Sequence, residues 1–528
     1  MKKLYQILII AAVCVIVLGV HTYWLSQKNG FHVDEGMTLA LAFYNDYVIR
    51  KNYDFDREYT GKELKEESFV NNSGFKETLK DIKSLWKDNR DSPHTNLYYS
   101  LLRISMIGLK SSDIKPIIFR GAILNLILLM VSFIFFFLLI KSLFPDSFLL
   151  QLFAVLCAFL STAAISNTLF IRPYQIQETM FIIFCYYFIK TINTKNFILD
   201  RKQLIGKIPV LLLFSLITGV TLLTGYYAVI FIGLFGLYVI YVNCKEKTYK
   251  EIIFYFAVLC FGVLIALALY PKYFEGFTSY RGVQTKYTLT MNFIGNIKSS
   301  IITGVTLLWK HFFTLPVLLV CIASSVFLFI RKQKLVIQKQ GLYIFIVALV
   351  YLFITLIIAP YKVLRYGMPV FPFFIILPAM ILNSMREKTQ KVSIAAMSVL
   401  CLCFLVGTVN QNNIENIFRN KANEYIFSKD KDVPVYVITH KYSAWKYGNL
   451  TPYFNDEQKY YFFENYDDIF EKDNSVFYLV IEKFPGFTDI SDERFEILDK
   501  FSMTGGEPET MDDYYIGAKV STRKRADE

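Results

Sequence analysis

Two adjacent carboxylates, Asp34 and Glu35, follow closely after the first apolar segment of the chain. A carboxylate at the edge of a bilayer costs free energy unless it is hydrated, paired or used in a reaction. Within hydrogen-bond reach of a hydroxyl it can take or orient the proton, which is general-base chemistry. The structural alternative is that Asp34 caps a helix beginning at Gly36, since carboxylates favour helix amino termini.

Three further segments place cationic and aromatic side chains near the ends of apolar runs. They are SPHTNLYYSLL with His94 and Tyr98, FIRPYQIQETMF with Arg172 and Tyr174, and PYKVLRYGMPVFP with Lys362, Arg365 and Tyr366. Each has a structural explanation, because cationic side chains snorkel to lipid headgroups and tyrosine is common at membrane interfaces. Arginine, however, offers a rigid fork of donors that matches phosphate oxygens. Together with the carboxylates, these side chains predict a site that reacts with a lipid phosphate.

The composition predicts a polytopic α-helical membrane protein, because 54% of the 528 residues are hydrophobic and only 19% are charged. Apolar runs of about 20 residues are long enough to span a bilayer. Eleven spans are predicted, at residues 4–24, 117–140, 147–170, 174–190, 208–223, 226–243, 251–270, 302–330, 341–359, 368–384 and 392–410. The first is interpreted as an anchor, since it is too long for a signal-peptide core and lacks a small-residue cleavage site.

The charge distribution predicts topology rather than nucleic-acid binding. Residues 1–410 carry 41 basic and 21 acidic residues, whereas residues 411–528 carry 15 and 23. Alternate connections between the predicted spans are basic, which marks the cytoplasmic side. The amino terminus is therefore predicted to be cytoplasmic and the carboxyl-terminal segment exterior, in a multi-pass protein of the plasma membrane.

Two domains are predicted: a transmembrane domain at residues 1–410 and a small exterior α/β domain at residues 411–528. Exterior loops are predicted at residues 43–115 and 271–301. The first loop contains FKETLKDIKSLW, whose helical spacing of apolar residues predicts a helix on the membrane surface. The eight cysteines lie in or near apolar runs, so they indicate neither a disulfide framework nor a zinc site.

The ordered motifs of residues 1–410 resemble the membrane glycosyltransferases with the C-type fold. The similarity is to the group of protein mannosyltransferases, aminoarabinose transferases and rhizobial lipid A core transferases, which is glycosyltransferase family 39-like. That group has an acidic pair in its first exterior loop, matched by VDEGMTLALA at Asp34 and Glu35. Its Arg-Tyr elements after the third span and late in the chain are matched by two segments, at Arg172 with Tyr174 and at Arg365 with Tyr366.

Two departures from the group are visible. Its His-Pro-Pro-Leu-Tyr-Tyr-like element is matched at His94, Leu97, Tyr98 and Tyr99, but Thr95 and Asn96 replace the prolines. Relatives often have a lysine after the fifth span, where this chain reads LLTGYYAV. A contact to the donor phosphate is then absent or supplied elsewhere, for instance by Lys362.

The resemblance implies an inverting transferase that moves a monosaccharide from a polyprenyl-phosphate donor to an exterior glycan, lipid or protein. Asp34 would be the general base and Glu35 would support it. Arg172 and Arg365 would hold the phosphate, and His94 with Tyr98 would line the pocket. No cofactor is predicted: acidic pairs of this kind can bind a divalent cation, but two carboxylates make an incomplete set of ligands.

Three alternatives remain from the sequence. A lipid-linked oligosaccharide transferase or polymerase would use the same carboxylates and arginines. A transporter or flippase is disfavoured, because the predicted spans carry almost no ionisable residues. A non-catalytic scaffold for envelope assembly would leave the carboxyl-terminal segment as the functional part.

Overall fold

The computed structural model describes most of the chain, with gaps. The described residues are 2–28, 30, 32–45, 57–69, 74–91, 94–109, 114–192, 201–247, 249–290, 293–386, 389–410, 413–415, 430–439, 454–472, 475–483, 490, 493–501 and 515–522.

Helices dominate the described residues. The α-helices are α1 (Lys2–Gln27), α2 (Val33–Tyr44), α3 (Gly61–Phe69), α4 (Phe75–Lys87), α5 (Leu97–Ser105), α6 (Ile114–Leu143), α7 (Phe148–Phe159), α8 (Thr162–Leu169), α9 (Tyr174–Ile192), α10 (Arg201–Leu222), α11 (Ala228–Glu246), α12 (Tyr249–Leu269), α13 (Tyr280–Thr290), α14 (Phe293–His311), α15 (Leu315–Ile330), α16 (Lys339–Ile358), α17 (Ile376–Arg386) and α18 (Gln390–Val409). Short 3₁₀ helices lie at Tyr273–Thr278, Leu364–Tyr366, Met368–Ile375 and Asp467–Glu471.

Within the described ranges, seven helices are long and apolar enough to cross a membrane. Two bent pairs, α7 with α8 and α14 with α15, raise this number to nine if each pair is one span. All eleven predicted spans coincide with helical segments, but two of them fall outside the nine. Helix α9 opens with the polar run YQIQET, and the apolar part of α10 is short. The multi-pass character is clear, and the described residues contain seven to nine candidate spans beside the predicted eleven.

The predicted span at 302–330 is not one helix. Helix α14 ends at His311, α15 begins at Leu315, and their axes differ by 88°. Pro316 lies in the first turn of α15, where its missing N–H costs nothing, whereas in a helix interior it would break the ladder. The predicted break within LLTGYYAV is present, since α10 ends at Leu222 and α11 begins at Ala228.

The chain divides into two compact units. One comprises residues 1–24, 92–98 and 125–415, and the other comprises residues 25–91, 99–124 and 416–528. In the first unit, aromatic rings fill much of the core: Phe181 stacks on Phe231 with ring centroids 3.9 Å apart. The predicted domain boundary after residue 410 stays a prediction, and the second unit also contains part of the first predicted loop.

The second unit contains a six-stranded sheet. Its strands are β1 (Tyr59–Thr60), β2 (Val435–Ile438), β3 (Lys459–Phe463), β4 (Val476–Glu482), β5 (Phe495–Phe501) and β6 (Tyr515–Thr522). The order is β1-β3-β2-β4-β6-β5, with β2 parallel to both neighbours and the other pairs antiparallel. The sequence runs VPVYVIT, SVFYLVIE and DYYIGAKV contain β2, β4 and most of β6, respectively. Strand β1 comes from the first predicted loop and pairs Tyr59 with Tyr460.

Helix α4 confirms the helix predicted in FKETLKDIKSLW. Its side chains Thr78 and Leu85 are buried within the second unit, to which the helix belongs. Its apolar stripe faces outward, with Phe75 67%, Leu79 51% and Trp86 41% exposed.

Candidate active site

The predicted carboxylate pair lies at the start of α2, where the two side chains have different surroundings. His32 is the N-cap, and its Nδ1 accepts a hydrogen bond from the Asp34 N–H at 3.0 Å. Glu35 occupies the third helical position, and its Oε2 accepts from the His32 N–H at 2.7 Å, which completes a capping box. Glu35 also binds the ammonium group of Lys28 at 2.7 and 2.9 Å.

The alternative in which Asp34 caps a helix beginning at Gly36 is wrong. The helix begins earlier, at Val33, and His32 supplies the cap. Asp34 is the second helical residue, where its charge suits the helix dipole but is not required for capping. Its side chain is 17% exposed, whereas that of Glu35 is fully buried.

In the first unit, a hydrogen bond joins two of the three predicted cationic and aromatic segments, those of His94 and Arg172. Arg172 Nη2 lies 2.8 Å from His94 Nε2, although the residues are 78 positions apart. A guanidinium can only donate, so His94 Nε2 accepts and carries no proton in this arrangement. Arg172 is 5% exposed. The guanidinium is therefore held in place by a neutral imidazole rather than neutralised by a carboxylate at this contact.

Tyr174 joins the third segment to this contact. Its ring lies 6.3 Å from that of His94 and 6.2 Å from that of Tyr366, both edge to face. Phe170 stacks on it at 5.9 Å with an interplanar angle of 4°. The Arg365 guanidinium lies 5.6 Å from the centre of the Tyr366 ring. We call Arg172, His94, Tyr174, Tyr366 and Arg365 the arginine–aromatic cluster.

Lys362 contacts other groups. Its ammonium group donates to the Asn296 side chain and, at 3.3 Å, to the Leu356 carbonyl in the last turn of α16. Lysine commonly satisfies carbonyls at helix carboxyl termini. Burial lowers the pKa of Lys362. These contacts give Lys362 a structural use, and its predicted contact with the donor phosphate stays a prediction.

Thr95 and Asn96, which replace the prolines of the resembling group, hold the His94 segment. The Thr95 hydroxyl donates to the Leu223 carbonyl just after α10, and Asn96 Nδ2 donates to the Leu269 carbonyl at 3.2 Å, at the end of α12. Carbonyls in the last turn of a helix have no partner within the helix. Thr95 and Asn96 depart from the motif, and their side chains attach this segment to the ends of two helices.

Two residues near the cluster were missed in the sequence. The Tyr227 ring lies 5.7 Å from the Tyr366 ring, so LLTGYYAV contributes an aromatic side chain beside the cluster. Asn125, an amide within the apolar run GAILNLILLM, accepts a hydrogen bond from the hydroxyl of Tyr98 at 3.0 Å. Its signal was visible, because a polar side chain inside a membrane helix usually has a specific partner.

The structure describes the two predicted groups in different units. Asp34 and Glu35 belong to the second unit, and the arginine–aromatic cluster belongs to the first. Their use in one reaction stays a prediction. Among the described residues, no group of three or more His, Cys, Asp and Glu side chains could hold a metal ion.

Comparison with solved structures identifies the fold. The crystal structure of ArnT from Cupriavidus metallidurans bound to undecaprenyl phosphate matches with a TM-score of 0.50, covering 97% of each chain at 10% identity. This likeness confirms the predicted fold class, the C-type membrane glycosyltransferase fold. The archaeal oligosaccharyltransferase AglB from Archaeoglobus fulgidus, in complex with an inhibitory peptide and a dolichol-phosphate, matches at a TM-score of 0.45. It is 10% identical, over 91% of this chain and 70% of that one.

The fold assignment rests on the first of these two likenesses. No protein-family model matches the sequence, and no curated protein sequence matches it.

Proposed function

We propose that this protein is an inverting membrane glycosyltransferase that moves one sugar from a polyprenyl-phosphate donor to an exterior acceptor. The observation that carries the proposal is the arginine–aromatic cluster. Three segments far apart in the sequence meet there, since His94 contacts Arg172 and Tyr366 contacts Tyr174. The fold is similar to that of a protein crystallised with undecaprenyl phosphate. The acceptor is a glycan, lipid or protein of the cell envelope.

In the proposed reaction, an acceptor hydroxyl attacks the anomeric carbon of the donor sugar. The new bond joins the acceptor oxygen to that carbon, and the bond from the carbon to the phosphate oxygen breaks. The hydroxyl proton passes to Asp34, and the electron pair of the broken bond leaves with polyprenyl phosphate. No nucleotide is needed, since the phosphate-linked sugar is already activated.

The roles of Arg172 and Arg365 follow from the charge that develops on the leaving phosphate. Guanidinium groups stay protonated at all physiological pH values and bind phosphate oxygens in pairs. Donors fixed in advance stabilise developing charge best, because they need no rearrangement during the reaction. The contact with His94 fixes Arg172 in this way, and the Tyr366 ring lies beside Arg365.

The role of Asp34 rests on the sequence motif and on the position of its side chain. His32 caps α2 and Glu35 binds Lys28, so Asp34 is required neither for the helix cap nor for the ion pair with Lys28. Glu35 has a supporting role through the capping box, which fixes the first turn in which Asp34 lies.

The test is sugar transfer by the purified protein from a synthetic polyprenyl-phosphate sugar to extracted envelope acceptors, followed by mass spectrometry. Arg172→Ala should weaken binding of undecaprenyl phosphate by about tenfold to a hundredfold, the loss of one charge-assisted contact. Arg331 is an exposed arginine after α15, so Arg331→Ala is the matched control and should bind normally.

A carrier or flippase would change the leaflet of the lipid without changing its sugar, and that result would refute transfer.

A further inference from the structure

Asn125 uses its whole side chain to join the two segments that carry Arg172 and His94. It lies on α6 and is completely buried. Its Nδ2 donates to the Thr168 carbonyl at 3.1 Å and to the Phe170 carbonyl at 2.8 Å, while its Oδ1 accepts from the Tyr98 hydroxyl at 3.0 Å. Both amide hydrogens and the amide oxygen are therefore used.

The two carbonyls belong to the end of α8, where backbone acceptors lack helical partners. The Phe170 carbonyl also accepts from the Arg172 N–H at 2.8 Å. One oxygen atom thus links the amide of Asn125 to the backbone of Arg172. The ring of the same Phe170 stacks on Tyr174, so the position of residue 170 affects two members of the arginine–aromatic cluster.

The third hydrogen bond reaches the other segment. Tyr98 lies four residues after His94, in the first turn of α5, and its side chain is 1% exposed. Fixing Tyr98 fixes the start of that helix and, with it, the segment in which His94 lies. Asn125 is thus bonded both to the turn before Arg172 and to the helix after His94.

A leucine at this position would be expected in a helix rich in Leu, Ile and Phe, because a buried amide gains little unless each polar atom finds a partner. The partners at Asn125 are two carbonyls of one turn and one tyrosine, all adjacent to the cluster. By contrast Ser132, two turns further along α6, bonds to the Thr179 side chain on α9 and not to the carbonyls of that turn.

We propose that Asn125 is a positioning residue that keeps Arg172 against His94 and thereby sets the affinity for the lipid phosphate. It contacts neither the donor nor the acceptor in this role. The inference rests on the proposed function for its ligand, whereas the geometric part concerns only the chain itself.

The first measurement is the affinity of the full-length protein for undecaprenyl phosphate. Asn125→Leu should weaken binding about tenfold, equivalent to one or two net hydrogen bonds. In an Arg172→Ala background the same change should have little further effect, because the group that Asn125 positions is already gone. Equal losses in both backgrounds, or no loss beside intact Arg172, would overturn the proposal. Ser132→Ala is the control on the same helix and should bind normally.

The second measurement needs no lipid and separates this proposal from the proposed function. Diethyl pyrocarbonate modifies unprotonated imidazole nitrogens, and the donation from Arg172 protects His94 Nε2. Peptide mass spectrometry should show faster modification of His94 in Asn125→Leu and in Arg172→Ala, and an unchanged rate in Ser132→Ala. If undecaprenyl phosphate fails to bind the wild type, this rate alone decides the geometric part. An unchanged rate in Asn125→Leu, or in Asn125→Asp should the leucine variant not fold, would refute it.

Discussion

The Lys28 ammonium group lies 2.7 and 2.9 Å from the two carboxylate oxygens of Glu35, and neither side chain is exposed. The same carboxylate accepts from the His32 N–H at 2.7 Å. Glu35 is therefore a buried, paired residue that connects the segment after α1 to the first turn of α2. The two neighbouring carboxylates therefore differ in their surroundings, since the Asp34 side chain is partly exposed.

The first prediction concerns stability. Glu35→Gln removes the charge that compensates buried Lys28, and loss of one partner of a buried pair typically costs about 3–5 kcal/mol. We expect a large fall in melting temperature, with lower activity as a consequence. Replacing both partners, by Lys28→Met with Glu35→Gln, should recover much of the stability. Equal stability of the wild type and the Glu35→Gln variant would show that the pair contributes nothing.

Asp34 should behave in the opposite way. Asp34→Asn keeps the shape of the side chain but cannot take a proton, so turnover should fall by at least about two orders of magnitude. The melting temperature should hardly change, because His32 caps the helix. The measurement is sugar transfer by the purified variant, beside donor binding, which should persist. Near-normal turnover would remove Asp34 from the reaction.

The sequence predicted the membership of the arginine–aromatic cluster better than its internal contacts. The order of the motifs grouped His94, Arg172, Tyr174 and Tyr366. In the structure Arg172 contacts His94, and the Tyr174 and Tyr366 rings lie 6.2 Å apart. Lys362 was grouped with them because of its position in the sequence, whereas its ammonium group contacts the end of α16. Which carbonyl a lysine or an amide reaches depends on helix ends that meet only in the folded chain. For the same reason the partners of Asn125, the Thr168 and Phe170 carbonyls, could not be predicted from the sequence.

The fold was predicted from apolar runs, and the errors in the predicted spans and strand pairing have local causes. Length and hydrophobicity located the helices, but they joined 302–330 into one span across Thr314 and Pro316, a helix-start signal in the sequence. The pairing of β1 with β3 joins Tyr59 to Tyr460. No local pattern predicts that pairing, because a two-residue strand has no periodicity of its own.

The third prediction separates Arg365 from Lys362. Arg365→Ala should weaken undecaprenyl phosphate binding by about 1.5–3 kcal/mol, and Arg365→Lys should restore only part of it, since the paired geometry is lost. Lys362→Met should instead lower thermal stability, because it leaves Asn296 and the Leu356 carbonyl without the ammonium group. The affinities of the three variants decide the matter, and a Lys362→Met protein of normal stability that no longer binds lipid would return Lys362 to the phosphate site.

Topology is the subject of the fourth prediction. The basic bias of alternate connections predicts that residues 411–528 lie outside the cell. The Asp467 side chain is 81% exposed, so Asp467→Cys should react with an impermeant thiol reagent on intact cells. The parent protein is the control, since its native cysteines include exposed Cys244 and Cys260. Labelling of the new cysteine only after lysis would place this segment in the cytoplasm.

The last prediction concerns α4 and the membrane surface. Phe75, Leu79, Ile82 and Trp86 recur at helical spacing and form one apolar stripe, and the lysines one position after each form a second stripe beside it. The opposite side is held by Arg103, whose Nε donates to Asp81 at 2.8 Å. An outward apolar stripe bordered by lysines suits the interface of a bilayer with anionic headgroups, where each basic residue near the surface contributes about 1 kcal/mol.

We therefore expect brominated lipids to quench the fluorescence of Trp86, measured as the difference between the wild type and Trp86→Phe in proteoliposomes. Quenching should be stronger with brominated phosphatidylglycerol than with brominated phosphatidylcholine at low salt. If the wild type and Trp86→Phe lose the same fraction of fluorescence in both lipids, α4 does not lie on the membrane.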